Sequence, residues 1–296
     1  MVARREFLVG AAAFMGAAAV VKAAPSRARS QAFSLEEPIR ALEHRSGGRL
    51  GIALLDTGSG SRFAWRADER FPLCSTFKFL LAADLLHRVD AGQERLDRRL
   101  PIRAVSLGNS DFTKSRVGRD ASIRELCQAI IEISDNEAAN LLLRQIGGPA
   151  GLTRFTRTIG DSVTRLDRFE TMMSDATPGD RRDTSSPNAM VANFERILLG
   201  GVLRPASRAT LTDWLVGVRT GETRLKAGLP LAWRIGHKTG TGSHGTANDV
   251  AIVWPGRRPP FILATYLTRS TLGDEGRNAV LADVARAVAA AVSPAA

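Results

Sequence analysis

The stretch STFKFLLAADLLHRV, residues 75–89, decides how the rest of the chain must be arranged. Its apolar side chains recur nearly all round a helix, which is typical of a helix buried on every side. Ser75 and Lys78 stand one turn apart on this helix and therefore face the same way. A lysine in such apolar surroundings is costly to bury without a partner. The stretch thus predicts a central buried helix that carries two polar groups close together.

Ser75 and Lys78 are a candidate nucleophile and base. A serine hydroxyl is a poor nucleophile unless a base removes its proton. An amine can remove it when burial or nearby positive charge lowers the pKa of that amine. The helix N-terminus also directs backbone N–H groups toward developing negative charge. The alternative is an N-cap serine beside a lysine that packs along the helix, and the pair alone leaves both interpretations open.

Strand patterns lie near both ends of the chain, and helical patterns lie between them. Strands are predicted over residues 50–56, 62–66, 233–237, 250–254 and 261–268, and helices over residues 34–46, 123–133, 137–146, 151–159, 186–199, 205–216 and 275–292. This order predicts an α/β (α+β) fold with an antiparallel sheet, flanked by helices from both chain ends. An all-helical domain is inserted into it, and the cleft between the two is the expected active site.

The predicted domain boundaries follow from this pattern. The α/β domain is expected over residues 30–68 and 217–296, and the all-helical domain over residues 69–216. The all-helical part includes a polar stretch at residues 165–187 with little periodicity. Loops of that length are uncommon and tend to be functional or disordered.

The N-terminal segment, residues 1–24, has the charged start, apolar middle and small-residue end of an export signal. Arg4 and Arg5 precede Phe-Leu, which resembles a twin-arginine signal. A membrane anchor is the alternative, but the apolar run is about 13 residues long and a bilayer needs about 20. We therefore expect a periplasmic or secreted protein with no stable membrane association after removal of the signal.

Charge and reactive residues narrow the class of protein. The formal net charge is +11, but the arginines are scattered and aromatic residues make up 6% of the chain. This argues against a nucleic-acid interface, whereas a positive field attracts anionic substrates. Cys74 and Cys127 are expected to be free thiols on buried helices, with a bridge between them left open. No metal and no other cofactor is expected, because no ligand-like spacing links the four histidines, His44, His87, His237 and His244.

Two further motifs carry chemistry. Ser134-Asp135-Asn136 follows an apolar helical pattern, and its residue types suit either a proton relay or ordinary helix capping. Residues 238–242, Lys-Thr-Gly-Thr-Gly, follow a strand pattern. They suit an edge strand that a ligand approaches closely, or a glycine-rich hairpin turn. Each motif is ambiguous when taken alone.

Together and in this order, the three motifs resemble the signature of class A β-lactamases and penicillin-binding proteins. The resemblance extends from about Leu50 to the C-terminus. It includes RLDRFE at residues 165–170, RLKAG at residues 224–228 and NDVAIVW at residues 248–254. It implies a hydrolase that opens β-lactam antibiotics through a covalent acyl-enzyme.

The resemblance assigns catalytic roles to four residues. Ser75 matches the acylated nucleophile, and Lys78 matches the lysine that activates it, although the share of the loop glutamate in acylation is disputed. Glu170 matches that glutamate, which directs water onto the acyl-enzyme. Ser134 resembles the proton relay to the departing ring nitrogen. Arg168 and Asp183 match an ion pair that fixes the long loop.

The resemblance also implies a set of substrate contacts. Asn136 resembles the contact to the side-chain amide, and Lys238, Thr239 and Thr241 resemble the carboxylate-binding edge. The backbone N–H groups of Ser75 and Thr241 are expected to form the oxyanion hole. Arg224 resembles the arginine that some relatives use to reach the same carboxylate.

The sequence departs from the family pattern at several positions. Ser174 replaces the asparagine that helps to hold the hydrolytic water, which affects deacylation rate and substrate range. Gly242 stands where relatives with a cysteine before the nucleophile carry its disulfide partner, and Ala82 stands near the usual partner of a cysteine at Cys127. Neither of these family disulfides is therefore expected. The tyrosine often found before Ser134 is missing, since the only tyrosine is Tyr266.

Three functions remain to be separated. A serine β-lactamase needs Glu170, whereas a penicillin-binding D,D-peptidase does not. A non-enzymatic β-lactam sensor stays acylated and needs a transmembrane signalling segment, and the sequence shows no such segment after the signal. The setting of Glu170 and the length of the match favour the β-lactamase, acting on small molecules as a monomer.

Overall fold

The computed structural model describes residues 1–2 and 33–292, so the export signal predicted over residues 1–24 lies almost wholly outside the described residues. The described strands are β1 (Arg49–Asp56), β2 (Arg62–Trp65), β3 (Phe71–Pro72), β4 (Arg99–Pro101), β5 (Asp120–Ser122), β6 (Thr184–Ser185), β7 (Arg234–Gly242), β8 (Thr246–Trp254) and β9 (Phe261–Thr268). The α-helices are α1 (Glu36–Ser46), α2 (Phe77–Asp90), α3 (Asp111–Lys114), α4 (Ile123–Glu132), α5 (Asn136–Gln145), α6 (Gly148–Thr158), α7 (Pro187–Leu198), α8 (Pro205–Val216), α9 (Leu225–Gly228) and α10 (Asp274–Val292).

The main sheet is antiparallel throughout and has the strand order β2-β1-β9-β8-β7. Strands from both ends of the chain meet at its centre, where Ala53 of β1 lies opposite Ala264 of β9. Every residue of β9 is buried, and so is every residue of β8 before Trp254. Strands that are buried on both faces need cover on both sides of the sheet. The predicted α/β fold with an antiparallel sheet is confirmed.

Two apolar clusters supply this cover. One packs α1 and α10 against one face of the sheet, with Ile39, Leu263 and Val284 among its buried members. The other surrounds α2 and includes Leu81, Ile130 and Phe194, which come from three different helices. Helices α7 and α8 both pack on the sheet as well. The division of the chain into domains at residues 68/69 and 216/217 stays a prediction.

Helix α2 is buried as its apolar pattern predicts, with every side chain from Phe77 to Leu86 inaccessible or nearly so. The prediction that Ser75 opens this α-helix is wrong by two residues. Ser75 lies instead in a short 3₁₀ helix, Cys74–Thr76, that precedes it. The Thr76 N–H donates to the Leu73 carbonyl oxygen at 3.2 Å. This i→i−3 bond tightens the chain just before α2 begins.

Strand β7 differs most from the prediction. Periodicity predicts a strand that ends at His237, but the strand continues through Gly242. Glycine weakens a strand pattern in the sequence, yet pairing with β8 supplies ladder partners as far as Gly242, opposite Thr246. The edge-strand interpretation of residues 238–242 is therefore confirmed, and the turn lies after them.

No helix among residues 33–292 combines the length and the apolar character that are needed to cross a bilayer.

Candidate active site

A cavity of about 560 Å³ lies where the start of α2, the long loop and the edge of β7 meet. It brings together most of the polar residues singled out from the sequence. Those that line it are Ser75, Ser134, Asn136, Glu170, Ser174, Arg224, Thr239 and Thr241. Lys78 and Lys238 are fully buried and contact lining residues. The predicted site residues therefore form one continuous group.

Ser75 lies within reach of two proton acceptors. Its Oγ is 3.3 Å from Glu170 Oε1 and 3.1 Å from Lys78 Nζ. Glu170 Oε1 and Lys78 Nζ are themselves 3.0 Å apart, with both side chains almost completely buried. The three groups form a triangle, so the serine proton has a short path to either the amine or the carboxylate.

Lys78 has more acceptors around it than it has protons to donate. Its Nζ also contacts the Ser134 carbonyl oxygen at 2.7 Å, Ser134 Oγ at 3.2 Å and Asn136 Oδ1 at 2.6 Å. Burial lowers the pKa of Lys78, and the neighbouring Glu170 carboxylate opposes that effect. A lowered pKa makes a neutral amine accessible, which is the form that accepts a proton.

Ser134 is held between the two buried lysines. Its Oγ lies 3.2 Å from Lys78 Nζ and 3.1 Å from Lys238 Nζ. Its backbone φ is +60°, a left-handed conformation that non-glycine residues adopt rarely. The following residue, Asp135, caps α5 by accepting from the Ala138 N–H at 2.9 Å. Helix capping and the placement of Ser134 are thus both present in this motif.

The β7 edge presents hydroxyl groups backed by cations. Thr239 Oγ1 is 2.7 Å from Thr220 Oγ1, and Arg224 donates from Nη2 to Thr241 Oγ1 at 2.7 Å. Burial lowers the pKa of Lys238 well below its ordinary value, and the nearby Lys78 charge lowers it further. Neither Lys238 nor Arg224 forms an ion pair with a carboxylate of the described residues. This edge therefore carries positive charge without a direct counter-charge.

The long loop holds Glu170 through its backbone. Asn140 of α5 accepts from the Glu170 N–H and donates to the Glu170 carbonyl oxygen, both at 3.0 Å. Arg168 binds Asp183 at 2.6 Å and Asp175 at 3.0 Å, which confirms the predicted ion pair across the loop. Ser174 Oγ lies 3.4 Å from Glu170 Oε2. Periodicity left this loop undefined in the sequence. In the fold, polar contacts to the backbone and to the side chain of Glu170 hold it in place.

Sequence reasoning missed several residues that support the site. Asn140 carries Glu170, Thr220 contacts Thr239, and Asn248 donates to the Leu73 carbonyl oxygen at 3.2 Å. Asn109 donates to the Ser134 carbonyl oxygen at 2.8 Å and lines the cavity. Isolated asparagines carry no local signal, because their partners are distant in the sequence.

The two cysteines are free and buried, as predicted. Burial raises the pKa of Cys74 to about 12, so its thiol stays protonated at neutral pH. A Cβ added at Gly242 would lie 2.6 Å from Cys74 Sγ, which places the missing disulfide partner beside Cys74. In the described part of the chain, His, Cys, Asp and Glu side chains do not gather in groups that could hold a metal ion.

Comparison with known proteins agrees with this geometry. Residues 34–292 match the Beta-lactamase enzyme family. Beta-lactamase L2 of Stenotrophomonas maltophilia is 43% identical over 97% of this chain and 98% of its own length. The carbapenem-hydrolyzing beta-lactamase KPC of Klebsiella oxytoca is 45% identical over 84% of this chain and 86% of its own length.

Solved structures extend the likeness to three dimensions. A class A beta-lactamase described as the last common ancestor of Gram-negative bacteria (GNCA4) is 55% identical, with a TM-score of 0.86 over 88% of this chain and 100% of that one. A beta lactamase from Xanthomonas campestris is 49% identical, with a TM-score of 0.86 over 88% of this chain and 97% of that one. The chain belongs to the class A serine β-lactamase family.

Proposed function

We propose that this protein hydrolyses the amide bond of β-lactam antibiotics through an acyl-enzyme on Ser75. A water molecule directed by Glu170 then hydrolyses this acyl-enzyme. The observation that carries the proposal is the triangle of Ser75 Oγ, Lys78 Nζ and Glu170 Oε1, with sides of 3.0 to 3.3 Å. A nucleophile and two proton acceptors at these distances satisfy the geometric requirement for general-base catalysis.

In the acylation step, Ser75 Oγ attacks the lactam carbonyl carbon and loses its proton to Lys78 or Glu170. The carbonyl oxygen becomes an oxyanion held by the backbone N–H groups of Ser75 and Thr241. Close approach of β7 to the nucleophile supports this role. A Cβ added at Gly240 would lie 2.9 Å from the Leu73 carbonyl oxygen, so glycine lets the strand approach this closely.

Ring opening needs a proton on the departing nitrogen. Ser134 Oγ accepts from the buried ammonium groups of Lys78 and Lys238, so its own proton is free to point into the cavity. We assign Ser134 the donation of that proton, which Lys78 replaces through their 3.2 Å contact. The C–N bond breaks, the nitrogen gains the proton, and the serine ester remains.

The substrate carboxylate is assigned to the β7 edge. The hydroxyls of Thr239 and Thr241 face the cavity, and Lys238 and Arg224 supply positive charge behind them. Asn136 lines the opposite side and is assigned the side-chain amide of the substrate. Asn136 Oδ1 accepts from Lys78 at 2.6 Å, and Asn136 Nδ2 donates to the Gly108 carbonyl oxygen at 2.9 Å. The second Nδ2 hydrogen is therefore the one assigned to the substrate amide.

Deacylation is assigned to Glu170, which distinguishes a β-lactamase from a D,D-peptidase that does not need this group. Its carboxylate lies 3.3 Å from Ser75 Oγ, so a water bound to this carboxylate in the acyl-enzyme would lie beside the ester carbon. Ser174 Oγ is 3.4 Å from the second carboxylate oxygen and is assigned the positioning of that water. A serine is shorter than the asparagine of relatives and leaves more room there.

The first experiment compares hydrolysis of a chromogenic cephalosporin by the wild type, Ser75→Ala and Glu170→Ala. We expect steady turnover by the wild type, none by Ser75→Ala, and a single stoichiometric burst by Glu170→Ala. General-base removal costs about 10²- to 10⁴-fold in rate. A wild type that stops after one equivalent would overturn the proposal and point to a penicillin-binding or sensor protein.

We also propose that the protein is a monomer exported through the twin-arginine route. A secreted or periplasmic location agrees with the relationship to these enzymes, and the pair Arg4-Arg5 supports the route. Replacing both arginines by lysine should retain the protein in the cytoplasm, as measured by fractionation. Unchanged export of that variant would contradict the assigned route, and a dimer by light scattering would contradict the monomer.

A further inference from the structure

A buried ionisable pair lies beside the cavity and takes no part in the steps above. His237 of β7 is 1% exposed, and Asp249 of β8 is 0% exposed. His237 Nδ1 lies 3.0 Å from Asp249 Oδ1 and 3.1 Å from Oδ2. A carboxylate only accepts hydrogen bonds, so the imidazole donates from Nδ1 to both oxygens. Two such groups are costly to bury unless they are paired, so the pair needs a structural or functional reason.

The pair lies directly under the carboxylate-binding edge. Asp249 stands opposite Thr239 in the β7–β8 register, and His237 precedes Thr239 by two residues. Side chains two apart on a strand share one face of the sheet. His237 is therefore on the same face as the two threonines of the edge, with Asp249 on the neighbouring strand.

The same pair contacts the segment of residues 220–225, which crosses this face. Asp249 Oδ2 accepts from the Leu225 N–H at 3.4 Å. Gly221 has φ +74°, and a Cβ added there would overlap the Thr239 side chain and lie 3.6 Å from His237 Cε1. The segment is thus fitted against His237 at one end and anchored on Asp249 at the other.

Segment 220–225 carries two of the groups that complete the edge. Thr220 Oγ1 is 2.7 Å from Thr239 Oγ1. Arg224 donates to Thr241 Oγ1 at 2.7 Å and to the carbonyl oxygens of Gly240 and Asn248 at 2.9 and 3.0 Å. Displacement of this segment would move Thr220 and Arg224 away from the Thr239 and Thr241 hydroxyls, which face the substrate.

Asp249 also supplies negative charge to cations that lack a direct partner. Burial lowers the pKa of Arg224 and of Lys238, and the Asp249 carboxylate opposes the lowering for both. A buried cation is stable only when nearby charge and hydrogen bonds offset its lost hydration. Asp249 therefore helps to keep both groups charged without occupying the face that they present to the cavity.

We propose that His237 and Asp249 are positioning residues that hold segment 220–225, and with it Arg224 and Thr220, in register for binding the carboxylate of a β-lactam. The inference rests on the proposed function and extends it to these two residues. The pair acts on carboxylate recognition and leaves the Ser75–Lys78–Glu170 triangle unaltered. His237 fixes Asp249, and Asp249 fixes the segment through Leu225.

The test compares a chromogenic cephalosporin as free acid with its methyl ester, which lacks the carboxylate charge. His237→Ala should raise KM for the acid about tenfold and change kcat little, because a hydrogen bond to a charged group is lost. The kcat/KM of the ester should stay unchanged. His237→Asn, which keeps a donor near the Nδ1 position, should restore most of the preference for the acid.

Equal losses for acid and ester, or an unchanged preference in His237→Ala, would overturn the inference. If the alanine variant melts before assay, His237→Gln fills the same space with a displaced donor and carries the same comparison. A wild type that hydrolyses neither compound would refute the proposed function. In that case, calorimetric binding of aryl boronic acids with and without a carboxylate tests the pair independently.

Discussion

The two buried lysines of the cleft differ in their surroundings. Lys78 lies 3.0 Å from the Glu170 carboxylate, so its charge is balanced within the site. Lys238 contacts Ser134 Oγ and the Thr239 carbonyl oxygen, and within residues 33–292 no carboxylate lies within ion-pair distance of it. A balanced lysine suits proton exchange, whereas an unbalanced one attracts an anion. Ser134 joins the two sides because both lysines donate to its hydroxyl.

The largest effect is expected on the balanced side. Lys78→Met should lower the acylation rate about 10³-fold, because it removes the amine that contacts both Ser75 Oγ and Ser134 Oγ. Stopped-flow acylation in a Glu170→Ala background measures this step alone. Lys78→Arg is the matched control, since it keeps a charge that cannot act as a base at neutral pH. Full activity of Lys78→Arg would contradict a proton-transfer role.

On the unbalanced side, the effect should fall on binding. Lys238→Met should raise KM for a carboxylate substrate roughly 10- to 100-fold, because hydrogen bonds to charged groups contribute about 1.5–3 kcal/mol. Arg224→Met should act in the same direction and more weakly, since the Arg224 guanidinium already donates to Thr241 Oγ1 and to two backbone carbonyl oxygens. If Lys238→Met lowered kcat and left KM unchanged, Lys238 would not differ from Lys78 in role, and its assignment to carboxylate binding would be wrong.

The pH dependence of KM sharpens the same contrast. Burial lowers the pKa of Lys238, so its ammonium loses its proton at a lower pH than an exposed lysine would. Below that pKa the charged group binds the carboxylate, and above it the neutral amine does not. KM should therefore rise as pH increases. In Lys238→Arg the rise should disappear, because arginine stays charged, and a profile shared by both proteins would refute the assignment.

The smallest effect is expected at Ser174. Ser174→Asn introduces the residue that the family resemblance implies at this position and adds an amide that can hold water beside Glu170. We expect a change of less than about tenfold in kcat, largest for substrates with bulky side chains or a carbapenem ring, since the contact is a single hydrogen bond of 3.4 Å. Unchanged steady-state constants across a substrate panel would show that Ser174 has no part in water placement.

Parts of the fold and of the site can be predicted from the sequence alone. Strand β9 was predicted with its observed ends, because a largely apolar run rich in β-formers needs no distant partner to be recognised. Ser75, Lys78 and Ser134, to which we assign roles in the reaction, were singled out because each sits in a short motif. The glycines of β7 hid its last residues, since their place in a strand depends on pairing with β8.

The unpredicted parts of the site depend on long-range contacts. Asn140 is 30 positions from Glu170, and Asp249 is 12 positions from His237. In each case the role of the residue depends on a partner that comes close only in the folded chain. The four histidines gave no ligand pattern in the sequence, and His237 acquires its place through the neighbouring strand.

The most direct test of the central claim is the lifetime of the ester on Ser75. Acid-quenched samples of wild type and Glu170→Ala with a penicillin are measured by intact mass spectrometry, and peptide mapping locates the adduct. We expect an adduct of full penicillin mass on Ser75 that persists in Glu170→Ala and is hydrolysed rapidly in the wild type. Equal adduct lifetimes in the two proteins, or an adduct on another residue, would contradict it.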